Sequence, residues 1–101
     1  QVRKLIALLK KRKEGFYSDI AKYIAKSSRT SIAVDLSRIA GFGDDVVVPG
    51  KVLGDGKIAK AGNVYALNFS KSAKEKIIKA GGKCHSIETM LAENKKARIV
   101  V

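Results

Sequence analysis

An α/β domain with a basic helical N-terminal segment is predicted for this chain, on three observations. Val46-Val47-Val48, closed by Pro49-Gly50, reads as a buried strand, because β-branched side chains are stiff at χ1 and suit a pleated, covered surface. Apolar residues recur at helical spacing elsewhere, at Val2, Leu5, Ile6 and Leu9 and again at Ala73, Ile77 and Ala80. The charge divides with them. Residues 1–31 hold nine Lys+Arg against two Asp+Glu, net +7, residues 32–69 balance to 0, and residues 70–101 carry net +5. The expected organisation is a basic helical segment over 1–31 and an α/β core over 32–101.

Taken in order, Val2 to Lys13 is the first helix, with Lys10, Lys11, Arg12 and Lys13 crowding its C-terminal end and Gly15 ending it. Four consecutive cations repel one another unless an anion is near, which points to nucleic-acid contact rather than to a solvated face. Ser18 is the expected N-cap of a short second helix, with Asp19 in its first turn, Ile20, Tyr23 and Ile24 on its apolar face, and an end near Lys26. Ser27 to Ser31, with Arg29, reads as a loop. Asp35 caps a short helical stretch whose Leu36 and Ile39 face the core and which Gly41 stops, and residues 41–45 form a turn.

At Val46–Gly56 the expectation is a buried strand, a tight corner at Pro49-Gly50, a second short strand at Val52-Leu53 and another turn at Gly54-Asp55-Gly56. A hairpin-like excursion over Ile58–Gly62 exposes Lys57 and Lys60. Val64 to Phe69 is a strand with Tyr65, Leu67 and Phe69 toward the core. Ser70 caps a helix to about Ala80, with Ile78 beside the inner stripe, and Gly81-Gly82 supplies its left-handed stop. The outward face of Lys71, Lys74, Lys76 and Lys79 is read as facing phosphate. Lys83-Cys84-His85 is a short strand, Ser86 caps a last helix with Ile87, Met90 and Leu91 inward, and Arg98 to Val101 closes the chain as a strand.

The function classes narrow quickly. Net charge +12 with a pI near 10.0 is not demanded by any fold and speaks of a polyanion partner, most commonly nucleic acid. The glycine-rich stretch fails as a P-loop. Counting from Gly50, Asp55 stands where the second glycine should, and Ile58 follows Lys57 where Ser or Thr is needed. One histidine and one cysteine, adjacent and on opposite strand faces, make neither a catalytic dyad nor a metal set. No catalytic residue, metal, cofactor or small-molecule substrate is expected. No apolar run approaches the roughly 18 residues of a membrane span. A basic architectural DNA-binding protein is the alternative, but neither a recognition helix nor a minor-groove arm is evident. Only 6% of residues are aromatic, with no Trp, so phosphate contacts are expected over base stacking.

Four blocks then carry a resemblance. Val46-Val47-Val48-Pro49-Gly50-Lys51-Val52-Leu53-Gly54 resembles the central signature of the large-subunit ribosomal protein eighteen-e family in its archaeal-type form, which is related to bacterial ribosomal protein fifteen. Asp35-Leu36-Ser37-Arg38-Ile39 resembles that family's "NLSRI" segment. Ser70 to Ile77 resembles its "S-x-x-A-x-x-K-I" helix. Ala80-Gly81-Gly82-Lys83 resembles its "AGG" stop, followed by the Ser86-Ile87-Glu88 helix start. The resemblance implies a compact core of irregular β-β-α superhelical turns with an N-terminal helical extension. It also implies a structural, rRNA-binding role in the large ribosomal subunit, beside neighbouring ribosomal proteins in the cytoplasm. The cations expected to meet RNA are Arg3, Lys4, Lys10, Lys11, Arg12, Lys13, Arg29, Arg38, Lys51, Lys57, Lys60, Lys71, Lys74 and Lys83.

Overall fold

The strand begun by the three valines runs through the proline that was expected to end it. In the computed structural model, which describes residues 7, 8, 11, 15–30, 32–40, 45–93 and 97–100, β2 is one strand over Val46–Leu53. The other elements are α1 (Gly15–Thr30), β1 (Ala33–Asp35), α2 (Leu36–Ile39), β3 (Asn63–Phe69), α3 (Lys71–Lys79), β4 (Lys83–Ser86), α4 (Ile87–Ala92) and β5 (Arg98–Ile99). Ala7, Leu8 and Lys11 are helical. The apolar stripe expected of the first helix, and the turn expected at 41–44, lie outside the described residues.

All strands among the described residues pair in parallel, in the order β1-β2-β3-β4, with β5 also on β2. β3 lines one edge of β2, from Val46 opposite Val64 to Val52 opposite Phe69. The other edge is shared: β1 pairs Val34 with Val52, and β5 pairs Val47 with Ile99. The expected corner at Pro49-Gly50 is instead a bulge, because the β2–β3 register shifts between Val48 and Lys51. Proline has no N–H to give a ladder, and one extra residue in the strand absorbs that defect without reversing the chain. Gly50 does not have a positive φ. It is needed for closeness, since a Cβ there would strike the Ile32 carbonyl and come within 2.9 Å of the Ile32 Cβ.

Parallel pairing also corrects the hairpin expected at Ile58–Gly62. Residues 54–62 must carry the chain from the end of β2 back to its start before β3 begins. That is fewer than the roughly dozen residues of a helical crossover, so the connection runs back extended. It lies on the end of α3, where the Ala61 N–H donates to the Ala80 carbonyl at 3.2 Å.

Both sheet faces are covered, as all-parallel sheets require. On the first, Tyr17, Ile20, Ala21 and Ile24 of α1 meet Val47, Tyr65, Ile87, Met90 and Leu91. On the second, Val46, Val48, Val52, Val64 and Ala66 meet Leu36, Ile39, Ala73, Ile77 and Val100. β3 therefore buries Val64 and Ala66 as well as Tyr65, and Phe69, opposite Val52, packs on the second face rather than with Tyr65.

Helix ends follow local chemistry where a cap is present. Ser70 Oγ accepts from Ala73 N–H at 3.2 Å. At the other end Gly81 takes φ 84°, while Gly82 N–H reaches the Ile77 carbonyl at 2.9 Å and Gly81 N–H that of Ile78 at 3.0 Å, the pair of bonds of a Schellman stop. Ser86 caps α4 likewise, accepting from Thr89 N–H. α1 departs from expectation. It spans Gly15–Thr30, so Gly15 is itself helical, Ser18 lies inside the helix and the loop expected at 27–30 is helical. Tyr17, Ile20, Ala21 and Ile24 stand at i, i+3, i+4 and i+7 and are all fully buried. Burying such side chains is worth about 1.5–3 kcal/mol each, more than the roughly 1 kcal/mol of an alternative cap at Ser18.

Candidate nucleic-acid interface

The described cations are carried on several elements. At the carboxyl end of the sheet, Lys51 is exposed on β2 between Ala33 of β1 and Asn68 of β3. Arg38, in the last turn of α2, lines a shallow groove with Ala33, Val34, Asp35 and Ser37. Lys71 and Lys74 are exposed on the first half of α3, and Lys74 lines a second groove with Asn68, Cys84, His85 and Ser86. On the outer side of α3, Lys57 of the crossover meets Lys76 and Lys79 around a crevice of about 420 Å³. Lys60 is exposed on the same crossover, and Lys83 is exposed at the start of β4, opposite Asn63 and bonded through its N–H to the Gly62 carbonyl at 3.1 Å. Lys11 is exposed. Arg29 is in α1, and Arg3, Lys4, Lys10, Arg12 and Lys13 lie outside the described residues.

Lys76 has an occupation that its spacing did not announce. Its Nζ donates to the Gly54 carbonyl at 2.6 Å and to the Gly56 carbonyl at 3.1 Å. It ties the mouth of the crossover to α3 and spends hydrogen bonds that a phosphate would otherwise take. Gly54 itself packs against α3, and a Cβ there would fall 2.7 Å from the Ser72 Cβ. The glycines of this stretch make room for protein, not for a phosphate. Lys22 and Lys26, exposed four residues apart on α1, add cations that the expected contact set missed; their i, i+4 spacing opposite the Ile20–Ile24 stripe is the signal for them. Among the described residues, Lys51, Lys57, Lys60, Lys71, Lys79 and Lys83 form no ion pair.

The polar residues of the sheet serve the fold. Asp45 Oδ1 accepts from the Asn63 backbone N–H at 3.1 Å and from its Nδ2 at 3.2 Å. Because Nδ2 donates, Asn63 Oδ1 is the acceptor for His85, and His85 Nε2 donates to it at 3.0 Å. His85 stacks on Tyr65 at 5.0 Å. Cys84 packs on the other face. Burial pushes its thiol above the ordinary value, partly offset by the Lys74 ammonium, which leaves it a poor nucleophile. Among the described residues no three His, Cys, Asp or Glu side chains group to hold a metal ion, and no helix is long and apolar enough to cross a membrane.

A family profile described as ribosomal proteins 50S-L15, 50S-L18e and the 60S protein twenty-seven-A matches residues 17–85, from the buried start of α1 to β4. The chain belongs to this family. Curated relatives agree, each named large ribosomal subunit protein eL18. That of Sulfurisphaera tokodaii is 46% identical over 97 residues, 93% of this chain and 82% of the relative. That of Methanococcus maripaludis is 42% identical over 83 residues, 79% of this chain and 69% of the relative. That of Archaeoglobus fulgidus is 45% identical over 83 residues, 79% and 71% of the two chains. The resemblance drawn from the four sequence blocks is thus borne out, and so is the α/β class. Membership makes this chain a ribosomal protein of the large-subunit type, with a structural role.

Proposed function

We propose that the chain binds large-subunit rRNA through Lys/Arg–phosphate contacts, beside neighbouring ribosomal proteins in cytoplasmic ribosomes, without catalysing a reaction. The observation that carries this reading is a family member with net charge +12 whose exposed Lys51, Lys57, Lys60, Lys71 and Lys83 form no ion pair among the described residues. With Lys74, Arg38, Arg29 and the N-terminal Arg3, Lys4, Lys10, Lys11, Arg12 and Lys13, they make up the contact set. In this reading the segment 1–31 is a basic arm of the 32–101 core; the packing of Tyr17, Ile20 and Ile24 with Val47 and Tyr65 supports a fixed attachment. Lys10–Lys13 carries a larger share of binding than α3, because four contiguous cations have no amphipathic explanation.

Titrating the protein with large-subunit rRNA at several salt concentrations tests it. Log affinity falls with log salt, with a slope of about 0.7–0.9 per phosphate neutralised. A salt-insensitive affinity defeats the reading. Equal affinity for duplex DNA at matched salt favours the architectural DNA-binding alternative instead. Neutralising Lys10–Lys13 in one variant and the α3 lysines in another ranks the two clusters.

A further inference from the structure

We propose that the crevice between the 54–62 crossover and the C-terminal half of α3 takes one unstacked nucleotide of the rRNA, its base on Ile58, Ala59 and Ala80 and its flanking phosphates on Lys57 and Lys79. The proposal rests on the rRNA-binding reading above and adds a place and a mode to it. The crevice is open to solvent, is lined by Gly56, Lys57, Ile58, Ala59, Lys76, Lys79 and Ala80 and has a volume of about 420 Å³, within the roughly 300–1,000 Å³ of ligand-sized clefts. Its floor is apolar and its rim cationic. That combination matches a nucleotide, whose base has an apolar face and whose backbone is anionic.

Two features stand against a nucleotide here, and the structure answers both. A helix C-terminus is the negative end of the macrodipole and ordinarily repels phosphate. Here the carbonyls of Lys76, Ile77, Ile78 and Ala80 are each taken, by the N–H groups of Ala80, Gly82, Gly81 and Ala61. Among the described residues the lining includes no acid, while three are lysines. The nearest acids in sequence, Asp55 and Glu75, are exposed outside the lining. The second feature is the lack of an aromatic platform. Ile58 is held in place by packing against the second core, and the crossover is fixed to α3 at both ends, by Lys76 on Gly54 and Gly56 and by Ala61 on Ala80. A preformed apolar slot costs little ordering on binding, so it can hold a base without a ring beneath it.

Ala59→Leu separates this contact from bulk electrostatics, since it fills the crevice at an exposed position without changing the charge. Binding of the full chain to large-subunit rRNA substituted with 4-thiouridine is measured for the parent, for Ala59→Leu and for Lys79→Ala, with melting temperature as a check on folding. The expected result is about a tenfold loss of affinity with an unchanged salt slope for Ala59→Leu, and a salt slope lower by about 0.7–0.9 for Lys79→Ala. Ultraviolet crosslinks in the parent fall in peptides covering 56–60 and 76–80. Parent-like affinity of Ala59→Leu with crosslinks only elsewhere overturns the crevice and leaves the rRNA-binding reading standing. Crosslinks from the crevice to a neighbouring ribosomal protein in assembled subunits overturn it also, in favour of a peptide occupant. Failure of the parent to bind rRNA defeats both.

Discussion

The two faces of the sheet are closed by different means. On the first, α1 and α4 bring bulk: Tyr17, Ile20, Ile24, Ile87 and Met90 are fully or almost fully buried against Val47 and Tyr65. On the second, α3 buries only Ala73 and Ile77, Leu36, Ile39 and Val100 supply the rest of the cover, and closeness adds to volume, with Gly54 against Ser72 and Gly50 against Ile32. A face built on volume should fail when atoms are removed. A face built on closeness should fail when atoms are added.

Four measurements sharpen the contrast. Tyr65→Ala, on the first face, is expected to have the largest effect, a loss of about 3–5 kcal/mol in denaturant unfolding, since it empties the centre of the cluster and removes the ring beneath His85. A loss below about 1 kcal/mol would show that the first face does not depend on volume. Gly54→Val adds atoms on the second face and should cost about 1–3 kcal/mol. Gly15→Ala, where an added Cβ meets nothing within 4 Å, is its control and should melt at or above the parent. Equal melting of both glycine variants would break the comparison. Ser70→Ala removes the cap that starts α3 and should cost about 1 kcal/mol; unchanged unfolding would mean that packing of Ala73 and Ile77 alone sets that helix.

The smallest effect concerns pH. The folded state raises the Cys84 thiol above its ordinary value by burial, so it favours the neutral form. The stability this gives is complete below the unfolded thiol's pKa and is lost as pH rises through the higher, folded value. The stability gap between the parent and Cys84→Ala, about 1 kcal/mol at neutral pH from the lost sulfur, should narrow in alkaline solution. A constant gap up to high pH would show that Cys84 is solvated like a free thiol.

What could be read from the sequence was local. Ser70 with Ala73 and Ile77, the Gly81-Gly82 stop, Ser86 with Ile87, Met90 and Leu91, and the opposite faces of Cys84 and His85 all follow from chemistry within a few residues. What escaped was set by distant partners. Ala33-Val34-Asp35 is a strand only because Lys51, Val52 and Leu53 lie beside it. Pro49 reads as a stop until β3 and a bulge accommodate it. The burial of Val64 and Ala66 needs helices on both sides, which no alternation within β3 reveals. In the candidate interface the lysines were legible as charge, but the pinning of Lys76 was not, since its carbonyl partners come from the preceding crossover. Lys57 and Lys79, far apart in the chain, share a crevice for the same reason.

The sharing of one β2 edge between β1 and β5 has a consequence for the order in which the molecule is made. β1 to β4 can pair as soon as they are synthesised, but Val46 and Val47 meet Arg98 and Ile99, and Val47 accepts a bond at 3.0 Å from Val100. Until residues 98–100 exist, that half of the valine strand offers bare N–H and C=O groups along one side, the kind of template on which a second chain can pair. Such a distant partner is also slow to arrive, because the loop it closes is long. A nascent chain halted before Arg98 would thus be adhesive, and the arrival of β5 is the event that seals it.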